Sequence, residues 1–393
     1  MLALAVRVAA TALVGFSSLQ FGDARAYLLA AKSLAENGQY PLRTDLFFFR
    51  PPAYPAFIAA VTLGKTDRIA SVKLANALLG AAAAVLLAAL SARIFRRRSV
   101  AVVTGLAAAL WPSLVLICTD VQSEPLFVLL LLLAGFLLLA ATDRPSSNIA
   151  VAAGIALGLA VLTRSSALGV VPLLLAPLGD RRYPLRARAH LAGSAALGLF
   201  VALAPWTLRN ALVFHELIPV SDAGGFSLYQ GNSIWTRRYY ALRTRQEYED
   251  WNHAMDLDMR RRLTEIERDG ERTPSQRSGA FARMAIDESL ADPAGSVRLF
   301  ALKALQWLRP YPTPWFWPTR IVVGVGILYG LLYVLAARGF VRSPRRGVAA
   351  FCAGLLVLSM LVHLVLQVVW RYRVPYWDPV LLLYGTLGAW RGR

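Results

Sequence analysis

Apolar segments of bilayer length constrain this chain more than any other feature. A helix needs about 20 apolar residues to cross some 30 Å of hydrocarbon. Runs at 2–21, 69–92, 100–118, 124–141, 149–163, 167–178, 190–209, 320–337, 347–369 and 375–390 approach that length. Of 393 residues, 57% are hydrophobic, far beyond what a soluble core requires. In lipid every backbone polar group must be satisfied within the protein, so apolar runs of this kind fold as helices. The expected class is an all-α polytopic membrane protein, a bundle of about ten spans. The runs 149–163 and 167–178 are short and read as tilted, broken or differently bounded spans. The run 53–63 is shorter still.

Charge placement orients the bundle. Arginine favours the cytoplasmic side of short loops. With the N-terminus inside, the inner loops hold Arg93, Arg96, Arg97 and Arg98, then Arg144, then Arg181, Arg182, Arg186 and Arg188. Arg338, Arg342, Arg345, Arg346, Arg391 and Arg393 follow. Counting 53–63 as a span would move Arg93 to Arg98 outside, so it reads as an outer, non-spanning juxtamembrane helix. The net charge is +19. The outer segment 210–319 has 14 Lys/Arg and 14 Asp/Glu, so the excess lies in the membrane part. That pattern fits topology and anionic lipid rather than nucleic acid, for which no motif is visible. Cys118 and Cys352 give no disulfide framework or metal spacing, and His190, His215, His253 and His363 are scattered. Ala24-Arg25-Ala26 mimics a signal-peptide cleavage site, but a retained anchor is the expectation.

Two segments face outward. In 22–68, residues 24–36 form an amphipathic interfacial helix that Gly38 and Pro41 end. Phe47-Phe48-Phe49 reads as an aromatic anchor at headgroup depth. In 210–319, a Gly-rich turn region spans Asp222 to Asn232, a charged helix covers about 244–268, and 295–308 is amphipathic and rests on the membrane. The expected organisation is a membrane module at 1–209, an outer loop domain at 210–319, and C-terminal spans at 320–393.

Exceptions to the arginine rule are informative. Arg50, Arg164, Arg209, Arg371 and Arg373 fall at the outer boundary, where the usual bias opposes them. Guanidinium groups suit phosphate. On the same side lie three acids next to hydrocarbon, Asp23, Asp120 and Glu124. Acids opposite arginines at one membrane face suggest a base and an anion clamp acting on a lipid-linked phosphate.

A resemblance gives this set a context. Asp23-x3-Tyr27-x2-Ala30-x3-Leu34-x3-Gly38-x-Tyr40 is followed by Arg50-Pro51-Pro52-x-Tyr54-Pro55. Pro112, Ser123-Glu124-Pro125, Leu162-Thr163-Arg164, Pro205-Trp206-x2-Arg209-Asn210, Gly231-Asn232 and Arg371-Tyr372-Arg373-x-Pro375 come next, in that order. This pattern, spread over nearly the whole chain, resembles membrane glycosyltransferases of the GT-C fold. Among these it resembles bacterial protein O-mannosyltransferase-like proteins and the aminoarabinose transferases of lipid A. The resemblance implies a GT-C helix bundle with periplasmic juxtamembrane helices and a small periplasmic loop domain, in a bacterial inner membrane. It implies a polyprenyl-phosphate-linked sugar donor, a glycan, lipid or protein acceptor, and an apolar groove between spans for the polyprenyl tail. It also implies an inverting transfer with Asp23 as general base, Glu124 orienting the acceptor, and Arg50, Arg164, Arg209, Arg371 and Arg373 binding the donor phosphate. Tyr27, Tyr54, Asn232 and Tyr372 become substrate contacts. No cofactor is expected, and a divalent metal is not favoured.

Ordinary readings stand beside these. Asp23 and Glu124 can cap helices, Arg50 can snorkel, Arg209 can anchor at the interface, and Gly231-Asn232 can be a turn. An O-antigen-type polymerase or ligase also has many spans and one long outer loop. It is not expected to carry Asp23 together with the Arg50–Pro55 run. A lipid-linked sugar flippase or other transporter would show repeated halves and charges deep in the bundle.

Overall fold

The computed structural model describes residues 1–19, 22–44, 47–180 and 182–390. Arg181, Arg391 and Arg393, and the last two residues of the first expected span, lie outside the described residues. All regular structure among the described residues is helical. The membrane part begins with α1 (Leu2–Val14), α2 (Asp23–Asn37), α3 (Ala53–Thr62), α4 (Ile69–Phe95), α5 (Arg98–Leu110) and α6 (Pro112–Leu116). It continues with α7 (Glu124–Asp143), α8 (Ser147–Thr163), a 3₁₀ segment (Ser165–Gly179) and α9 (Leu185–Phe214). Five helices form most of the outer segment: α10 (Ala223–Asn232), α11 (Ile234–Tyr239), α12 (Arg245–Arg268), α13 (Pro274–Ala291) and α14 (Pro293–Leu308). Then α15 (Thr319–Val341), α16 (Arg346–Val365) and α17 (Trp370–Ala389) return to the bundle.

Among the described residues five helices, α4, α7, α9, α15 and α16, are long and apolar enough to cross a bilayer. Two of the other expected spans, 2–21 and 149–163, become the shorter apolar helices α1 and α8, and the remaining three take different forms with local causes. Segment 167–178 is 3₁₀ rather than α, with Pro172 and Pro177 inside it. Proline removes the donors an α-helix would need. At about 2.0 Å per residue a 3₁₀ helix of this length reaches about 30 Å, a full hydrocarbon thickness. Helix α17 carries Arg371, Arg373 and Asp378 as well as Pro375 and Pro379, yet Arg373 to Gly388 are all buried. Protein surrounds it on every side, which is where such residues are tolerated in a membrane.

The run 100–118 breaks at Trp111-Pro112, between α5 and α6. Pro112 has no N–H for the Ala108 carbonyl. Arg7, fully buried on α1, takes its place: Nη2 donates to Ala108 O at 3.1 Å and Nη1 to Ala109 O at 3.0 Å. A cation at a helix C-terminus is also favoured by the dipole. This charge in the first span drew no notice in the sequence because its partner is over a hundred residues away.

Two expectations about the outer segments change. The Gly-rich stretch 222–232 is not a turn but helix α10. Its glycines allow backbone to approach backbone. A Cβ on Gly225 would lie 1.7 Å from Ser278 O, and one on Gly231 would lie 1.5 Å from Leu366 O. Nor do Phe47, Phe48 and Phe49 reach the headgroups. Phe47 stacks on Phe226 with ring centroids 4.5 Å apart, and Phe48 lies beside the same ring. Both pack on a core formed by Phe226, Tyr229, Met259, Leu263 and Phe281 of α10, α12 and α13. Phe49 is fully buried against Trp206 and Phe214. The aromatic triplet thus joins the first outer loop to the second. Helix α14 exposes Val297, Phe300 and Leu305 on one face while Leu299 and Trp307 face inward.

The inner ends of the helices meet around Asp143. Its carboxylate pairs with Arg93 Nε at 3.1 Å, with Arg182 Nη2 at 3.6 Å and with Arg345. The acid offsets arginines from three separate loops, all assigned to one side by the charge rule. A cysteine at exposed position 97 is expected to react with membrane-impermeant reagent only from the cytoplasmic side, as scanning accessibility can check. Arg7→Met is expected to destabilise the protein by about 1–3 kcal/mol through the unsatisfied carbonyls, read as a lower Tm in detergent micelles.

Candidate active site

Three backbone features present the polar residues at the end of the bundle that the charge pattern makes outer. Asp23 is the first residue of α2 and Glu124 the first of α7. Carboxylates are favoured at helix N-termini, but neither helix has a side-chain cap bond at its N-cap residue. Arg371 is the second residue of α17, and Arg164 is the extended residue between α8 and the 3₁₀ segment. Arg50 ends a loop held at several points. Its N–H donates to Thr44 Oγ1 at 2.8 Å, and its carbonyl accepts from the Tyr40 hydroxyl at 2.9 Å. The preceding Phe49 N–H donates to Asp222 Oδ1 at 2.9 Å. Pro51 then keeps the chain extended before α3.

These elements bring one connected ion-pair network together. Asp23 Oδ1 accepts from Arg50 Nη2 at 2.9 Å, and Asp23 Oδ2 accepts from Arg371 Nη2 at 2.8 Å. Arg371 Nε lies 3.2 Å from Glu124 Oε1, and Arg164 Nη1 lies 3.0 Å from the same oxygen. Arg164 Nη1 also donates to Ser123 Oγ at 3.1 Å, which in turn shares a 3.1 Å hydrogen bond with the Tyr27 hydroxyl. The Arg50 guanidinium sits 5.1 Å from the centre of the Tyr27 ring, and Arg164 sits 5.1 Å from that of Tyr372. Tyr54 meets the Tyr27 ring edge-on, and its hydroxyl accepts from Asn76. Asp120 lies in the buried turn before α7, its carboxylate accepting from the Val121 N–H.

Exposure separates the two acids. The Asp23 side chain keeps 31% of its surface, while Glu124 keeps 2%. Asp23 is therefore the open acid of the network, and Glu124 the buried one. Three arginines against two acids leave the network with an excess positive charge. Asp23 lies outside the membrane-spanning segments. Burial alone would raise its pKa, but Arg50 and Arg371 outweigh burial and bring it down to about 2.

Three sequence candidates lie elsewhere. Arg373 is fully buried and donates to Trp307 O at 2.6 Å and Arg309 O at 2.7 Å. Arg209 donates to Tyr40 O at 2.7 Å and lies over Trp206, supporting the first loop from behind. Asn232 ties α10 to the turn after α16 through Val365 O at 2.7 Å, and its own oxygen accepts from buried Lys303. Ser123, which links Arg164 to Tyr27, and Asn76, which holds Tyr54, had no role assigned from sequence. The run Ser123-Glu124-Pro125 was the one signal that pointed to the former. Among the described residues no group of three or more His, Cys, Asp or Glu side chains could hold a metal ion.

With this geometry in hand, the comparisons with known proteins are consistent. Residues 49–207 match the family model described as dolichyl-phosphate-mannose-protein mannosyltransferase. Among solved structures, the archaeal oligosaccharyltransferase AglB from Archaeoglobus fulgidus, in complex with an inhibitory peptide and a dolichol-phosphate, aligns over 98% of this chain. The identity is 14% and the TM-score 0.56, which is a likeness of fold. This chain spans only half the length of that protein, covering 50% of it. ArnT from Cupriavidus metallidurans, bound to undecaprenyl phosphate, aligns over 98% of this chain and 77% of its own at 16% identity. Its TM-score of 0.43 is too low to bear on the argument. No curated protein sequence matches. The protein is a multi-pass, all-helical membrane protein of the GT-C fold. The family match covers residues 49–207, less than half of the chain, and what the chain shares with the solved oligosaccharyltransferase is the fold.

The lowered pKa of Asp23 fixes the sign of a pH effect. The folded value of about 2 lies below the usual unfolded value of about 3.9. The ion pairs therefore stabilise the protein above pH ~4, and the contribution is lost as pH falls from about 4 to about 2. Tm measured across that window is expected to fall for the native protein and to lose this component in Asp23→Asn.

Proposed function

We propose that this protein transfers a sugar from a polyprenyl-phosphate-linked donor to an acceptor hydroxyl at the outer face of a bacterial inner membrane. The observation that carries this reading is Asp23, the exposed acid of the network, held between Arg50 and Arg371. The dolichol-phosphate in the AglB complex supports a polyprenyl phosphate as the lipid carrier, on a shared fold.

The acceptor oxygen attacks the anomeric carbon while the bond from that carbon to the phosphate oxygen breaks. The acceptor proton passes to Asp23. The polyprenyl phosphate leaves with the electron pair, and its growing charge meets Arg50, Arg164 and Arg371. One displacement inverts the anomeric centre. Tyr27 and Tyr372, whose rings lie under Arg50 and Arg164, border the space in which donor and acceptor meet. Glu124 keeps Arg164 and Arg371 aligned, in a positioning role.

At a pKa of about 2, Asp23 is a weak base while both arginines hold it. On this reading the donor phosphate corrects that. Its oxygens compete for Arg50 and Arg371 as it binds, and the released carboxylate becomes more basic. Basicity at Asp23 thus depends on an occupied donor site, which guards against activation of water when no donor is present.

Asp23→Asn is expected to abolish transfer while membrane insertion and donor binding persist. Comparing envelope glycans and glycoproteins by mass spectrometry, with the native or the variant protein as the only copy, checks this and identifies the sugar and the acceptor. Near-normal product from the variant would overturn the base assignment. Arg371→Ala is expected to weaken binding of undecaprenyl phosphate by about tenfold or more, the loss of a charge-assisted contact of roughly 1.5–3 kcal/mol. Binding to the purified protein in detergent measures it.

A further inference from the structure

A large cavity lies away from the polar network. It occupies about 780 Å³ in the inner half of the bundle, among α4, α7, the 3₁₀ segment, α16 and α17. Its walls are aliphatic and aromatic, as at Leu90, Leu131, Leu138, Leu355 and Val380. At its inner end the lining turns polar with Asp180, Arg182 and Arg345. Leu175 lines it and is 57% exposed, on the flank of the 3₁₀ segment.

A layer of side chains lies between this cavity and Asp23. Tyr376, one helical turn beyond Tyr372, lines the cavity and shares a 3.0 Å hydrogen bond with Ser166. It meets Phe127 edge-on at 5.2 Å and His363 at 5.7 Å. Ser166, Phe127 and His363 each lie near the outer ends of their own segments, and none lines the cavity. None of Asp23, Arg50, Glu124, Arg164 and Arg371 of the outer ion-pair network lines the cavity.

Charge at the inner mouth selects a headgroup. Arg93, Arg182 and Arg345 surround Asp143, and Arg182 also pairs with Asp180. Arg188 donates to Leu178 O at the end of the 3₁₀ segment. Four arginines against two acids leave an excess positive charge where inner-leaflet phosphates lie. Of the three arginines around Asp143, Arg182 is the most open, with 55% of its side chain exposed. Basic pockets between transmembrane helices on the cytoplasmic side are suited to anionic lipid headgroups. A hydrocarbon-lined space beside the bilayer is filled at least cost by acyl chain, since neither water nor vacuum is favoured there.

We propose that this cavity is a binding site for one anionic phospholipid of the inner leaflet, its acyl chain between α7 and α16 and its phosphate at Arg182. The bound lipid fills the space that the 3₁₀ segment leaves against α7 and α17. The proposal does not depend on the transfer reaction assigned to the outer face.

Native mass spectrometry of the full-length protein in mild detergent tests it, with phosphatidylglycerol, phosphatidylcholine and undecaprenyl phosphate as the probes. One phosphatidylglycerol per chain is expected to be retained, in preference to phosphatidylcholine, and undecaprenyl phosphate should not displace it. Gly135 lines the cavity, and a Cβ there meets open space. Gly135→Phe is therefore expected to fill the cavity without a clash and to lower retention by about tenfold or more, the loss of roughly 1.4 kcal/mol or more. Arg182→Gln is expected to reduce the preference for phosphatidylglycerol by about fivefold, the worth of about 1 kcal/mol for one arginine at an anionic surface. Full retention by a folded Gly135→Phe protein, judged by an unchanged Tm, would overturn the site. Equal retention of phosphatidylcholine would overturn the headgroup assignment. Displacement by undecaprenyl phosphate would make the cavity a passage for the donor's tail instead. Asp23→Asn is expected to retain the lipid, so failure of the transfer reading and failure of this one are separable.

Discussion

The carboxylate of Asp23 is the point on which the outer half of the structure depends. It joins α2, near the start of the chain, to α17, at its end, through Arg371, and to the first outer loop through Arg50. Each partner is itself fixed by other contacts. The loop that carries Arg50 is held by Tyr40, Thr44 and Asp222, and Arg371 reaches across to Glu124 and so to Arg164. Arginines at a membrane face that normally repels them need a compensating anion. Here two acids at helix N-termini offset part of the charge. One arrangement thus ties together helices from both ends of the chain.

The inner face uses the same device for a different end. Asp143 gathers Arg93, Arg182 and Arg345, which draws together α4, α7, α16 and the loop after the 3₁₀ segment. Between the two charged layers, α17 runs through the centre, buried along nearly its whole length. The Asp378 carboxylate on α17 accepts from Trp111 at 3.2 Å, from Tyr329 at 2.6 Å and from Ser113. It pins the α5–α6 break that Arg7 supports from the other side. Buried charges in this protein thus serve two purposes, holding broken helices and holding helix ends.

Much of this was legible in the sequence where the signal is local. Helix α12 was expected from its charged stretch at about 244–268, and in the structure Thr244 and Glu247 close its N-terminus with a capping box. The interfacial helix α2 follows from its periodicity and from Gly38, whose left-handed conformation closes it. The association of Asp23 with Arg50, Arg164, Arg371 and Glu124 was visible through topology, because all five fall at one membrane face. Phe47 to Phe49 misled because aromatic residues read alike whether they meet headgroups or another loop. The stretch Asp222–Asn232 misled because glycine marks both turns and close helix contacts.

By itself the sequence determined the class and the list of residues that could meet at one end of the bundle. Those follow from hydrophobic length and from the cost of placing charge near lipid, which are properties of composition along the chain. Only the tertiary structure decided which arginines serve the acid. Arg371 and Arg373 lie two residues apart on one helix, and such neighbours point to different sides. One meets Asp23, while the other is spent on the carbonyls of Trp307 and Arg309. The same rotation along α17 put Tyr376 over the inner cavity. Helix packing fixes that rotation through partners hundreds of residues distant, and no local pattern encodes it.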